Sequence, residues 1–171
     1  NNLMSCLTYL CASTEYHSLR TTCSIITDIG VARELNRHKT HSISEESTQY
    51  CNYRKDKFGN ELTFIIPEWV ETFCPNKDND GPSSADIYWS DACREAEKYY
   101  FKLLDAGWTP RQARQVLPLS TKVQTVHTAF NDDWDEFIKL RAEGCSGTVH
   151  PNMKVIADKI KALMAKENAA L

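Results

Sequence analysis

No stretch of these 171 residues approaches the roughly 20 consecutive apolar residues that a membrane-spanning helix needs, so a soluble protein is expected. The opening Asn1-Asn2-Leu3-Met4 has neither the basic nor the apolar layout of a signal peptide, and the expected location is the cytoplasm, or the host cytoplasm for a viral chain. Because that opening also lacks an initiator methionine, residues upstream of it are expected to be missing. There is no Cys-x-x-Cys pair, and the 7 cysteines are odd in number, which fits reduced thiols rather than a disulfide framework or a structural zinc site. The 5 histidines show no His-x-x-x-His spacing, so no metal is expected. An excess of positive charge is missing as well. With a net charge of −3 and dispersed basic residues, nonspecific binding to a nucleic acid polymer is not expected. No internal repeat is present. What remains is a composition of 42% hydrophobic and 25% charged residues, that of one ordinary globular domain over residues 1–171.

Against that plain background, residues 37–50 stand out. Arg37, His38 and Lys39 are followed by Ser42, Ser44, Glu45, Glu46, Ser47, Thr48, Gln49 and Tyr50. Arginine can grip phosphate oxygens as a planar fork and lysine as a point charge, while hydroxyls both donate and accept. The two acids would repel a phosphate, which suggests a ligand that also carries donors, such as a ribose or a base. The same composition describes a solvated helix end running into a serine-rich loop, and composition does not separate the two.

Periodicity supplies the surrounding elements. Residues 3–12 read as an amphipathic helix and residues 23–27 as a strand, with Asp28 as the cap of a helix whose apolar face carries Val31, Leu35 and His38. Arg33 and Arg37 share another face of that helix. Residues 61–66 form a second strand closed by Pro67, and residues 76–84 form a polar surface loop. A long helix over residues 85–106 stops at Gly107, and Thr109-Pro110-Arg111-Gln112 opens a short one with a capping box and a proline at its first position. Residues 122–128 alternate as a strand, Asn131-Asp132-Asp133 starts another helix, and residues 152–168 form the last. Cys6, Cys11, Cys23 and Cys93 sit among apolar neighbours as small core fillers.

In the helix after Asn131, the residues Trp134, Phe137, Ile138 and Arg141 recur at one helical face. An arginine on a core stripe needs an anionic or acceptor partner, or must carry its charge outward along its own stem.

These residues resemble a known family. The run from Thr27 to Lys39, continuing through Tyr53, is similar to the R-H-R-x-x-S-x-N-E-x-S-x-R-Y signature of flavin-dependent thymidylate synthases. Ala113 to Pro118 resembles that family's A-R-x-x-L-P, and Phe137 to Arg141 its F-x-x-L-R. The resemblance spans roughly residues 14–154. It implies an α+β fold, a twisted, mostly antiparallel sheet flanked by helices, assembled as a homotetramer with active sites at subunit junctions. It also implies reductive methylation of dUMP to dTMP, with methylenetetrahydrofolate as carbon donor, FAD as hydride carrier and NADPH as reductant. The alternatives it leaves are C5 methylation of another pyrimidine nucleotide such as UMP, or a nucleotide-binding homologue without catalysis.

Roles carry over by matching position. Arg141 is the expected catalytic residue, a fixed cation stabilising the anionic uracil ring. Arg114 would hold the nucleotide phosphate or sugar and Ser47 the phosphate, with Glu46, Thr48 and Gln49 completing the nucleotide-binding stretch. Glu34 and Leu35 would lie near the pyrimidine, and Glu45 between flavin and nucleotide. Arg37, His38 and Lys39 would line the FAD, together with Thr14, Phe130, Asp132 and Glu136. The chain departs from the signature where Lys39 and Gln49 replace arginines and Ser44 replaces asparagine. His17 stands where the family has glutamate, and Phe130, Asp132 and Glu136 stand where members carry neutral or basic residues facing FAD.

Overall fold

The computed structural model describes residues 2–10, 19–54, 59–70, 83–145 and 147–169. Thr14, His17, Cys11, Cys74 and most of the expected 76–84 loop lie outside the described residues. The chain divides into two compact units, one built from Asn1–Ser5 and Ser47–Lys122, the other from Cys6–Glu46 and Val123–Leu171.

In the first unit, strands β1 (Asn2–Met4) and β5 (Thr63–Ile65) pair in parallel, and the helix α2 (Ser84–Asp105) adds Cys93 and Tyr100 to the buried cluster that holds Phe64. Ser83 and Asp86 close the start of α2 reciprocally: the Ser83 hydroxyl accepts from the Asp86 amide at 3.2 Å and the Asp86 carboxylate from the Ser83 amide at 3.1 Å. Gly107, at φ +90°, ends it, a conformation that a side chain would strain. The buried cluster is Cys51, Tyr53, Leu62, Phe64, Cys93, Tyr100 and Ala113. The strand expected over residues 61–66 is shorter than its hydrophobic run because the Leu62 amide donates to the Glu97 carboxylate at 2.8 Å instead of to a neighbouring strand. Helix α3 (Pro110–Ala113) follows, with Gln112 accepting from the Thr109 amide at 2.9 Å as its capping box requires, and a 3-10 turn, Arg114–Val116, continues it.

The second unit is an open antiparallel sheet of four strands in the order β2 (Leu7–Leu10), β3 (Arg20–Asp28), β6 (Lys122–Phe130), β4 (Ser42–Glu45). The side-chain bonds Thr22–Thr128 and Gln124–Ser24 run in opposite orders along β3 and β6, as antiparallel neighbours require. Among the described residues the unit also holds the helices α1 (Ile29–Leu35), α4 (Asn131–Arg141) and α5 (Pro151–Ala169), with α5 packed on α4, β2 and β3. The core is filled by Ile25, Val31, Leu35, Trp134, Phe137, Met153, Ile156 and Ile160. Along β6, Val123, Thr125, His127 and Ala129 are buried while the residues between them are not, the alternation of a half-buried strand. No helix among the described residues is long and apolar enough to cross a membrane.

Two expectations are corrected. The helix expected over residues 3–12 is replaced by strands β1 and β2, because Leu7–Leu10 pair with Cys23–Ile26 and the ladder outcompetes a weak helical pattern containing Thr8 and Tyr9. Helix α1 stops at Leu35, so Arg37 and His38 do not continue its faces. The amides of Arg37 and His38 bond back to the carbonyls of Glu34 and Leu35, at 3.1 and 3.0 Å, which tightens the chain into turns.

Asp28 holds α1 in place twice over, accepting from the Val31 amide at 2.8 Å through one carboxylate oxygen and from the Asn152 side chain at 3.0 Å through the other. Asp28→Ala removes a cap worth about 0.5–2 kcal/mol and a tertiary hydrogen bond worth about 1 more. We expect a loss of about 2 kcal/mol in urea unfolding, with Asp28→Asn recovering part of it.

Candidate active site

The turn after α1 sorts its side chains by burial. Arg37 and Lys39 are exposed, His38 is half-buried, and His41 is 8% exposed. From Ser42 the chain joins the sheet as edge strand β4, in register with β6 from Ser42 against Thr128 to Glu45 against Thr125. The amide of Glu46 donates to the Gln124 carbonyl at 2.8 Å, and its carboxylate accepts from the Gln124 amide at 3.2 Å. Glu45 is held by Asn36, whose side-chain amide donates to it at 2.9 Å. Both acids that would repel a phosphate are therefore engaged with donors of the chain itself.

Arg141, the last residue of α4, reaches the same turn. Its Nε donates to Nε2 of His38 at 3.2 Å, and its Nη1 stands 3.5 Å from the Glu34 carboxylate. The acceptor and anionic partners that an arginine on an apolar stripe requires are thus Glu34 and His38. The Arg141 side chain keeps 26% of its surface exposed. Leu35 is wholly buried, so its side chain supports this cluster from the core rather than facing solvent.

Behind His38 lies a group of rings that sequence reasoning missed. His38 meets Phe137 edge-on at 4.8 Å, His41 lies 4.4 Å from Trp134, and the Nδ1 atoms of His41 and His127 are 3.2 Å apart. Burial first, then the charge of Arg141, then His41 push His38 down to about 4 from 6.5, so its ring is neutral and can accept from Arg141. Burial and the other two histidines push His127 down to about 4. His41 is also lowered by burial, against the pull of Asp133. The signal was available in β6, where His127 takes the inward place in the Val123, Thr125, His127 alternation.

Of the remaining expected residues in this unit, Asp132 and Glu136 are exposed on α4, and Phe130 is an exposed ring with the Arg20 guanidinium 4.9 Å above it. In the first unit, the Ser47 carbonyl accepts from the amides of Tyr50 and Cys51, both at 3.2 Å, and its hydroxyl from the Gln49 amide at 3.3 Å. Arg114 donates to the Thr48 hydroxyl at 3.3 Å. The stretch Ser47, Thr48, Gln49 is thus a hydrogen-bonded turn steadied by an arginine.

The chain belongs to the family described as thymidylate synthase complementing protein, whose model matches residues 12–168. Among solved structures, the UMP/dUMP methylase PolB from Streptomyces cacaoi bound with 5-Br dUMP is similar at a TM-score of 0.71 and 20% identity, over 97% of this chain and 93% of that one. The same methylase bound with 5-Br UMP is similar at a TM-score of 0.71 and 22% identity, over 96% and 91%. At such identities the likeness is one of fold. No curated protein sequence matches the chain significantly.

The depressed histidines make stability depend on pH in a definite direction. Above 6.5 these rings are neutral in both states. As pH falls from 6.5 toward about 4, the unfolded chain takes up protons that the folded His38 and His127 refuse, so stability drops through that window. We expect the urea midpoint to fall between about pH 7 and pH 5, with a shallower fall in His127→Phe. A wild-type midpoint that does not move over this range contradicts the assignment.

Proposed function

We propose that the chain catalyses reductive C5 methylation of a pyrimidine nucleotide, dUMP to dTMP, with methylenetetrahydrofolate as carbon donor and NADPH as reductant. The observation that carries this is Arg141, a partly exposed side chain whose guanidinium is anchored at the end of α4 by the neutral His38 and the Glu34 carboxylate. Bond formation at C5 requires electron density there, and a cation fixed beside O2 and N3 of the ring stabilises the anionic form that supplies it. Anchoring at two points means the guanidinium need not reorganise as charge develops. Arg141 is in this role the catalytic residue, and Glu34 lies beside the same ring edge.

FAD is the hydride carrier of this reaction when bound. The donor set fits it: Arg37 and Lys39 are exposed cations suited to a diphosphate, and they flank a neutral imidazole. Glu45, held by Asn36, would keep a carboxylate in fixed orientation beside flavin and nucleotide. Asp132 and Glu136, exposed on α4, would face donors of the cofactor rather than its phosphates. Arg114 and Ser47 would take the nucleotide phosphate, with Thr48 orienting Arg114. A homotetramer in the cytoplasm completes the proposal, and a sedimentation measurement tests the assembly.

The test is tritium release from C5-labelled nucleotide in the presence of FAD, methylenetetrahydrofolate and NADPH. Release from dUMP supports the proposal, whereas release from UMP alone moves the substrate to the ribonucleotide. A colourless protein that takes up no FAD and releases tritium from neither nucleotide overturns it. Arg141→Lys is expected to lower turnover by about 100-fold or more while leaving FAD binding intact, the scale for loss of one preorganised donor. Arg114→Gln is expected to raise the KM for nucleotide about tenfold or more, as loss of a charge-assisted bond to phosphate does.

A further inference from the structure

The His41–His127 contact is an expensive feature for a core to carry. His127 is fully buried and His41 is 8% exposed, yet beyond their mutual contact at 3.2 Å the Nε2 atom of each has no hydrogen-bond partner among the described residues. Two apolar rings at these positions would leave no polar atom unsatisfied. The contact also constrains protonation. Two Nδ1 atoms can share a hydrogen bond only if one bears the proton and the other does not. Burial keeps both rings neutral, and in that state the donating ring has a bare Nε2 while the accepting ring carries its proton on Nε2. A second proton on the facing atoms abolishes the bond and makes the accepting ring a cation set against the other ring's N–H.

This pair stands directly behind the residue that anchors Arg141. His41 lies 5.6 Å from His38, ring centre to ring centre, and both pack on Phe137. His38 can receive the Arg141 Nε–H only while its own Nε2 is bare, with its proton on Nδ1. The charged groups facing this set come from every neighbouring element. Arg141 and Asp133 project from α4, Glu34 projects from α1, and His127 comes from β6. Asp133 favours a proton on His41, and Arg141 disfavours one on His38.

We propose that His41 and His127 are positioning residues: by sharing one proton across their Nδ1 atoms they keep the wall behind His38 neutral, and so hold His38 Nε2 bare as the acceptor that fixes the Arg141 guanidinium. They touch no substrate in this scheme. Their effect reaches the nucleotide ring only through His38 and Arg141. Removing His127 frees Nδ1 of His41 to take a proton under the pull of Asp133, and the resulting cation beside His38 disturbs the Arg141 anchor in mildly acidic solution.

The inference rests on the catalytic role proposed for Arg141, and two measurements separate the fates of the two proposals. In the first, nitrogen NMR of the histidine rings of the full chain, without cofactor or substrate, follows the His38 tautomer at pH 6.0. We expect a bare Nε2 in wild type and loss of that state in His127→Phe. In the second, kcat/KM for the nucleotide is followed against pH. His127→Phe is expected to match wild type within about threefold at pH 8 and to fall about tenfold or more at pH 6.0. A packing defect alone would lower both values alike. His127→Gln, which keeps a polar group of similar reach, covers the case in which the phenylalanine variant does not fold. Unchanged His38 signals together with superimposable pH profiles overturn the proposal. A wild type without turnover overturns the function, while the NMR measurement still decides whether the pair governs His38.

Discussion

Asp28 is the residue on which the second unit turns. It ends β3, caps α1 and receives the side chain of Asn152 from α5, so one carboxylate joins strand, helix and closing helix. Because α1 is only 7 residues long, its direction is set almost wholly by where it starts. That direction decides where Glu34 points and where the following turn delivers His38. The partners of Arg141 therefore depend for their placement on a buried carboxylate that touches none of them.

The proposed site divides its labour between charge and neutrality. Exposed Arg37 and Lys39 offer positive charge to an anion, while His38, His41 and His127 behind them are kept neutral by burial. A cationic histidine between Lys39 and Arg141 would push the guanidinium away from the turn that anchors it. Neutral rings let two cations coexist within one short segment, and Glu34 offsets the charge that remains.

Sequence periodicity revealed those parts of the molecule whose pattern is local. The caps of α1 and α3, the stop at Gly107 and the alternation of β6 depend on residues a few positions apart, and each is present. The N-terminal strands were not legible, because Leu3, Leu7 and Leu10 fit a helical spacing, and only the distant β3 and β5 decide otherwise. Arg141 was legible as an arginine out of place on a core stripe. Its partners were not, since His38 and Glu34 lie more than 100 residues earlier, and the His41–His127 contact spans 86 positions. The roles at Ser47, Thr48 and Arg114 came from resemblance alone, because a turn of small polar residues looks the same in any solvated loop.

Strand β4 gives the segment that follows His41 a property that a loop would lack. From Ser42 to Glu45 each residue is matched to a partner on β6, and a slip of one position would turn every side chain to the opposite face of the sheet. The interval between His41, which points into the core, and Glu45, which is tied to Asn36, is therefore measured in hydrogen-bonded steps. Such a segment can exchange one side chain for another, as Ser44 shows where the signature carries asparagine, but it cannot gain or lose a residue. The spacing of the motif is in this sense a ruler laid down by the sheet, with one side chain set at each mark.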